Sequence, residues 1–404
     1  MLQSRRTSIA LLTNSLSSIG NFALSVAVAR GESVQNFGAF AVAFSIYILV
    51  TGLSRTSITD SHLALPQSQD LLKRSAGQIS LIAAVPAAIT ILAGLVLRSE
   101  YIVVIGFSLH GLALYDYVKT VSIGVGNPVR ALAQESIWTL LTSGAVISAL
   151  VGLISPIATF TVWSLTGALI GYAQLRLLDC SPTPRWGVRQ KDTRLAVSFG
   201  LEYIAGSGTA QFTTLMLGGA VGTAILGALR GAGTVFGPVT LVIGTIRSLL
   251  IPHLSRARNA RGVNEGYVAV KTTSQMLLFV IPVAIAVTFI PKPLGQTLLG
   301  ASWQFAEPVL PMIAAELIFA TSATSALAGH RAHFAGRRTL TLRAILAPVR
   351  MSSVVGSGIT FGASGAALAM AAMALLESVV WWTSYLLLIV RATRRARPDG
   401  AQEI

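Results

Sequence analysis

The chain has 404 residues, of which 53% are hydrophobic and 11% are charged, and its mean hydropathy is +0.69. Soluble domains carry roughly 25% charged residues, so this composition excludes an ordinary soluble domain and indicates that lipid covers most of the surface. The period-2 alternation of a membrane β-barrel is not seen. Because backbone polar groups must be satisfied inside lipid, the spanning elements are predicted to be helices.

Twelve apolar segments follow one another along the chain, and each can cross a hydrocarbon core of roughly 30 Å as a helix. Their approximate ranges are 7–29, 35–54, 76–97, 101–120, 132–153, 156–176, 195–218, 230–252, 272–290, 306–327, 341–361 and 365–390. We therefore predict an all-α membrane protein of about twelve transmembrane helices. Spans 7 and 8 are the hardest to separate, because apolar, glycine-rich sequence continues through residues 200–255.

Basic residues alternate between the two sides of these spans. The termini and even-numbered loops hold 26 of the 30 lysines and arginines, and the odd-numbered loops hold the other four, Arg30, Arg98, Arg230 and Lys292. Basic residues stay on the cytoplasmic side during insertion, so both termini are predicted to be cytoplasmic, in a bacterial inner membrane. We interpret the net charge of +15 as this topology signal plus attraction to anionic membrane lipids, and we expect no nucleic-acid partner.

One long polar segment divides the chain, and its prolines and mixed charges are typical of a linker. We predict an N-terminal six-helix bundle at 1–178, a cytoplasmic linker at 179–194, and a C-terminal six-helix bundle with a basic cytoplasmic tail at 195–404. Weak similarity between residues 36–41 and 220–224 favours a parallel repeat about an axis along the membrane normal. The alternative is that glycine-rich helix ends resemble each other by chance.

No pattern in the sequence is typical of a catalytic or metal site. The five histidines are not spaced for metal binding, and there is no nucleophile elbow, P-loop or dinucleotide fingerprint. We therefore predict that the chain is not an enzyme and uses no cofactor or metal. Without a P-loop, any transport would be driven by an ion gradient or by the gradient of the substrate itself.

Three stretches of mostly small residues resemble bacterial polysaccharide flippases of the multidrug/oligosaccharidyl-lipid/polysaccharide exporter superfamily. They are residues 29–41 with Phe-Gly-Ala-Phe-Ala, residues 221–256 with Ala-Leu-Arg-Gly-Ala, Gly-Pro and Ile-Pro-His-Leu-Ser-Arg, and residues 299–337 with Leu-Gly, Trp, Val-Leu and Ala-Gly-Arg. The resemblance covers nearly the full length. Its motifs identify the superfamily better than the substrate.

The resemblance implies two six-helix bundles around a central cavity lined by spans 1, 2, 7 and 8. It implies flipping of a polyprenyl-diphosphate-linked oligosaccharide across the inner membrane for cell-surface polysaccharide biosynthesis. A polysaccharide polymerase or glycosyltransferases are candidate partners, and we expect a monomer. Many relatives carry an Asp-Arg pair where this chain reads Gln-Phe-Thr-Thr-Leu-Met at 211–216, so the resemblance gives no ion-coupling residue there.

Three arginines are candidate substrate-binding residues. Charges at membrane depth cost roughly 2.5–3.5 kcal/mol on insertion scales and mark functional sites. Arg230, Arg247 and Arg55 lie at or near the ends of spans 8 and 2, and a guanidinium offers paired donors to a diphosphate. The alternative is that they are helix-end residues whose charges reach the interface, and for Arg55 and Arg247 the sequence supports both interpretations equally.

Polar residues inside other spans give further candidates. Asn14, Asn21 and Gln211 could donate hydrogen bonds to sugars, or could join neighbouring helices. Glu202 and Asp116 are candidate ion-coupling residues. For Glu202 the alternative is pairing with a cavity arginine. The remaining expected ion pairs are Asp116 with Lys119 or Arg130, and Glu316 and Glu377 with Arg343 or Arg350.

Two other functions are compatible with the sequence. An ion-coupled multidrug or organic-cation exporter of the same superfamily would have an acidic, aromatic-lined cavity with few arginines. A non-transporting scaffold of a polysaccharide synthesis complex would tolerate substitutions in the cavity but not deletions in its cytoplasmic loops.

Overall fold

The computed structural model describes residues 2–66, 68–185, 190–260 and 264–396, and in these residues it contains helices and turns but no strand. The predicted all-α fold is confirmed, and a helical segment corresponds to each predicted span. The segments are α1 Leu2–Gly31, α2 Val34–Ser54, α3 Gln69–Val96, α4 Glu100–Gly124, α5 Pro128–Leu150, α6 Pro156–Arg176, α7 in two parts (Gln190–Tyr203 and Thr209–Ala220), α8 in two parts (Thr223–Val235 and Gly237–Asn259), α9 Glu265–Thr288, α10 Leu310–Ala332, α11 336–361 and α12 363–396. Short helical turns between Lys292 and Val309 precede α10.

Eight stretches of the described residues are long and apolar enough to cross a membrane. One of them, Gly336–Ala392, contains both α11 and α12, which meet at Gly362 with φ 65° and ψ −149°. The helices α5 and α6 are long enough to span but less apolar, and α7 is interrupted by a π-helical turn, Ile204–Gly208. The predicted count of about twelve helices therefore agrees with the structure, although composition alone identifies fewer of them.

The chain forms two compact units. The first contains Met1–Thr234 and Lys292–Glu307, and the second contains Val235–Pro291 and Pro308–Ile404. The helix α7 and the first part of α8 thus belong to the first unit. The division into bundles at 1–178 and 195–404 stays a prediction. The predicted linker and tail extend to residues 186–189 and 397–404, which lie outside the described residues.

An aromatic cluster joins α2, α4 and α6 in the core of the first unit. The Phe40 ring lies 5.4 Å from the Phe160 ring and 6.0 Å from the Tyr101 ring, and the Phe44 ring lies 5.7 Å from the Trp163 ring. Aromatic side chains bury a large area, and ordering them costs little conformational entropy because they have few rotatable bonds. The cluster therefore holds one face of α2 in a fixed position.

Close backbone packing joins the first turns of α2 and α8. A methyl group on Gly38 would overlap the carbonyl oxygen of Thr223, and one on Gly227 would overlap the carbonyl oxygen of Val34. Val34 and Thr223 are the first residues of their helices, and each glycine follows four residues later. The contact is thus reciprocal, as expected of the parallel repeat that the sequence predicts.

The other end of α2 packs against α7. The Tyr203 hydroxyl donates to the Ile48 carbonyl oxygen at 2.8 Å, and the Tyr203 ring lies against Gly52, where no side chain intervenes. A π-helical turn lies near this contact on each side, Arg55–Asp60 directly after α2 and Ile204–Gly208 between the two parts of α7. Such turns realign side chains within a helix and are frequent at functional sites. This packing fixes the position of Arg55.

The segment after α6 lies along α3 as far as it is described. The Gln69 amide donates to the Leu178 carbonyl oxygen at 2.8 Å, and the Arg185 backbone N–H donates to the Gly77 carbonyl oxygen at 3.1 Å. Cys180 is buried against this helix in the same core cluster as Ala76. The first part of the predicted linker is therefore attached to the first unit.

We expect Gly38→Ala to destabilise the protein by about 1–3 kcal/mol, the usual cost of overpacking, because the new methyl group meets the backbone of α8. The measurement is the melting temperature of the purified protein in detergent. Gly144→Ala in α5 is the matched control, because nothing lies within 4 Å of its added methyl group. Equal melting temperatures for the two variants would contradict the close contact.

Candidate functional site

Arg230 lies inside a helix rather than at its end. Its helix begins at Thr223, so Arg230 is seven residues from the start, about 10 Å along the axis. The predicted start of span 8 at residue 230 is wrong. The chain turns at Gly222, whose φ of 102° suits glycine, and no charged residue or proline marks that turn. The interpretation of Arg230 as a helix-end residue is therefore also wrong.

The Arg230 guanidinium is held between α1 and α2. Its Nη2 donates to the Ser25 hydroxyl at 3.2 Å, and Ser25 in turn donates to the Asn21 carbonyl oxygen at 2.9 Å. The guanidinium carbon lies 4.8 Å from the centre of the Phe44 ring and 5.8 Å from that of Phe40. Cation–π contacts of this kind contribute about 0.5–2 kcal/mol. The aromatic cluster thus provides a rigid surface for the charge.

No counter-ion compensates Arg230 within the part of the chain that the structure describes. The ion pairs present there involve other arginines and lysines. The Arg230 Nε is buried and has no hydrogen-bond partner. Arginine remains protonated in proteins, so this side chain cannot lower its cost by losing its charge. The site therefore has a cation and at least one free donor, and it lacks an anion.

A polar stripe on α1 continues from Ser25. Asn14, Ser18, Asn21 and Ser25 follow one another at spacings of four, three and four residues, which places them on one helix face over about 16 Å. The hydroxyls of Ser18 and Ser25 donate to the carbonyl oxygens of Asn14 and Asn21. Among the described residues the two asparagine amides have no hydrogen bond. The sequence argument found Asn14 and Asn21 but missed Ser25, although its spacing from them was the available signal.

Arg55, in the π-helical turn that follows α2, forms an ion pair with Asp116 of α4. Their Nη1 and Oδ1 atoms are 3.8 Å apart, and the Asp116 side chain is 13% exposed. The predicted pairing of Asp116 with Lys119 or Arg130 is wrong, because both cations face partners on other helices. Lys119 lies 3.1 Å from Glu135, which also accepts from the Tyr115 hydroxyl, and Arg130 donates to Gln174.

The remaining candidates of the first unit lie in α7. Glu202 is half-buried in the last turn before the π-helical turn, and Gln211 is half-buried just after it. The structure thus brings Asn21 and Arg230 to one place and leaves Gln211, Glu202 and the Arg55–Asp116 pair elsewhere in the unit.

The second unit contains Arg247 and a buried ion cluster. Arg247 is exposed, and its Nη2 lies 3.5 Å from the Thr324 hydroxyl of α10. Arg350 pairs with both Glu316 and Glu377, so the predicted pairing of these glutamates with α11 is confirmed. Arg350 was one of the 26 basic residues assigned to the termini and even-numbered loops. That assignment was wrong, because Arg350 lies inside α11, 14 residues or about 21 Å after Gly336.

The chain matches one protein family and several solved structures. A family described as "Polysaccharide biosynthesis protein" matches residues 27–308. No curated protein matches the sequence. Among solved structures, an inward-facing multidrug resistance MATE family transporter of the MOP superfamily aligns with a TM-score of 0.73 and 12% identity over 97% of this chain and 99% of that one. The lipid II flippase MurJ, in an inward closed conformation, aligns with a TM-score of 0.70 and 11% identity over 97% and 94%.

Identities of 11% and 12% show a shared fold and nothing about substrate. The family match is more informative because it covers more than half of the chain, including α2, the aromatic cluster and Arg230. The protein is therefore a multi-pass membrane protein with the fold of these transporters, and it belongs to the polysaccharide biosynthesis protein family.

Proposed function

We propose that the protein flips a polyprenyl-diphosphate-linked oligosaccharide from the cytoplasmic to the outer leaflet of a bacterial inner membrane, for cell-surface polysaccharide biosynthesis. Family membership supports the pathway, and the fold supports transport. The observation that carries the proposal is Arg230, a guanidinium inside a membrane helix bundle with no carboxylate partner in the described residues and one buried donor without a partner.

A diphosphate suits this site because it supplies the missing charge and acceptors. Arginine presents several N–H donors in a planar fork that matches phosphate oxygens, and charge-assisted hydrogen bonds are about twice as strong as neutral ones. The Ser25 hydroxyl fixes one edge of the guanidinium, and the phenylalanine rings support its face. The amides of Asn14 and Asn21 on the same face of α1 suit the hydroxyl groups of the attached sugars.

The same feature disfavours an exporter of organic cations. A positively charged substrate would be repelled by Arg230, and two acids of the first unit, Asp116 and Glu135, are already paired with Arg55 and Lys119. A scaffold that does not transport would have no need of an uncompensated charge that costs stability. The flippase proposal alone gives the charge a use.

We expect Arg230→Ala to lower surface polysaccharide at least about tenfold at equal protein level. A hydrogen bond to a charged group contributes about 1.5–3 kcal/mol, and 1.4 kcal/mol corresponds to a factor of ten. The measurement is polysaccharide on cells whose own copy is replaced by the variant. Lys292→Ala is the control, since it also removes one basic residue of the first unit, but one whose side chain is 73% exposed. Normal polysaccharide with Arg230→Ala would exclude the assigned site.

Stability separates a substrate-binding role from a structural one. Because no carboxylate pairs with Arg230, we expect that Arg230→Leu does not lower the melting temperature of the purified protein, since it removes a buried charge and fills the space. A fall of several degrees would mean that the guanidinium mainly holds α1, α2 and α8 together.

The proposed direction of transport requires both termini in the cytoplasm. In a Cys180→Ser background, we expect Leu153→Cys, between α5 and α6, to react with a membrane-impermeant maleimide on intact cells or spheroplasts. Phe334→Cys, between α10 and α11, should react only after permeabilisation. Both positions are well exposed, at 77% and 91%, so accessibility in the fold does not limit either reaction. The reverse pattern would contradict the proposed orientation.

A further inference from the structure

Arg350 is the centre of an ion triad in the second unit. Its Nη2 bonds to Glu316 Oε1 of α10, and its Nη1 lies 3.5 Å from Glu377 Oε1 of α12. Three helices each contribute one member. With both carboxyl groups ionised, two negative charges share one positive charge, so the triad carries an excess of one negative charge.

Two members of the triad, Arg350 and Glu377, lie well inside their helices. Arg350 is 14 residues from the start of α11 and Glu377 is 14 residues from the start of α12, which is about 21 Å along each axis. Among the described residues no second cation lies within ion-pair distance of either glutamate. Arg343, two turns nearer the start of α11, is the next basic side chain on that face of the helix. A negative charge at this depth is costly in lipid.

The two carboxyl groups are not equivalent. Glu316 makes the shorter contact with Arg350 and is 17% exposed, whereas Glu377 is farther from the guanidinium and 27% exposed. Glu316 is thus the firmly bound partner of Arg350. Glu377 is the more weakly held and the more exposed of the two carboxyl groups.

Neutral contacts attach α12 to α10 beside the triad. The hydroxyls of Ser322 and Ser378 are hydrogen-bonded, and the Trp382 indole donates to the Ser322 carbonyl oxygen at 2.8 Å. These bonds do not depend on the charge of Glu377. A change in the charge of Glu377 would therefore alter its contact with Arg350 of α11. The neutral bonds between α10 and α12 would remain.

We propose that the Glu316–Arg350–Glu377 triad binds one proton and is the coupling site of this transporter, an inference that rests on the proposed function. The proton comes from water on one side of the membrane, adds to a carboxylate to make the triad neutral, and leaves to water on the other side. The groups that face Glu377 are Arg350 of α11 and Glu316 of α10. A proton fits better than Na⁺, because a metal ion needs several oxygen ligands and would lie beside the guanidinium.

The test is infrared spectroscopy of the purified full-length protein, titrated between about pH 5 and about pH 9, with H⁺ itself as the probe. We expect a titrating band of a protonated carboxyl group in the wild type. Both Glu377→Gln and Glu316→Gln should lose it, because each leaves one carboxylate for one arginine. Glu307→Gln, which alters a part-exposed glutamate outside the triad, should retain the band. Absence of the band in the wild type, or its survival in both triad variants, would overturn the proposal.

Two further measurements separate this inference from the proposed function. Replacing the choline chloride of the buffer by NaCl should leave the infrared titration unchanged. Displacement of the proton by Na⁺ would overturn the assignment to a proton. In cells, Glu377→Gln should reduce surface polysaccharide at least about tenfold. A normal level with Glu377→Gln but a loss with Arg230→Ala would reject coupling and retain the flippase. Normal levels with both variants would reject the flippase, while the infrared result would still decide proton binding.

Discussion

Charge inside a membrane has to be balanced by charge, and this constraint organises the polar groups of the protein. Two clusters in the first unit are balanced. Arg55 faces Asp116, and Lys119 faces Glu135, which the Tyr115 hydroxyl also contacts. Balanced pairs of this kind join helices and give no reason to bind anything else. Arg230 has an excess of one positive charge, and the triad around Arg350 has an excess of one negative charge.

Composition and charge placement were enough to predict the general architecture. An apolar chain without period-2 alternation of hydrophobic and polar residues can span a membrane only as helices. The predicted number of helices agrees with the structure. The boundaries failed where the sequence has no polar break. The start of α8 is set by a positive φ at Gly222, and its interruption before Gly237 coincides with Pro238, which cannot donate to the carbonyl oxygen of Thr234. Neither feature changes the hydropathy of the surrounding sequence.

The candidate site could be predicted only in part, because ion pairs depend on how helices are rotated about their axes. Sequence spacing placed Asp116 and Lys119 one turn apart on α4, yet Asp116 faces the π-helical turn after α2 and Lys119 faces α5. The pairing of Glu316 and Glu377 with α11 was predictable because Arg343 and Arg350 are the only basic residues inside the last three predicted spans. Which arginine would lack a partner was not predictable, because that depends on every neighbouring side chain. Phe40 and Phe44 became relevant only when their rings were seen beneath Arg230.

The reciprocal contact of Gly38 with Thr223 and of Gly227 with Val34 agrees with the predicted internal repeat. Each helix start approaches the other through a glycine, so neither can gain a side chain there without moving its partner. Charges do not follow this symmetry. The position in α2 that corresponds to Arg230, seven residues after the first residue of the helix, is Ala41. Two matched helix starts that carry a charge on one side only are therefore asymmetric where the proposed anion binds. A lipid-linked diphosphate, with its polar group at one end of a long chain, is an asymmetric ligand of the kind that such a site would orient.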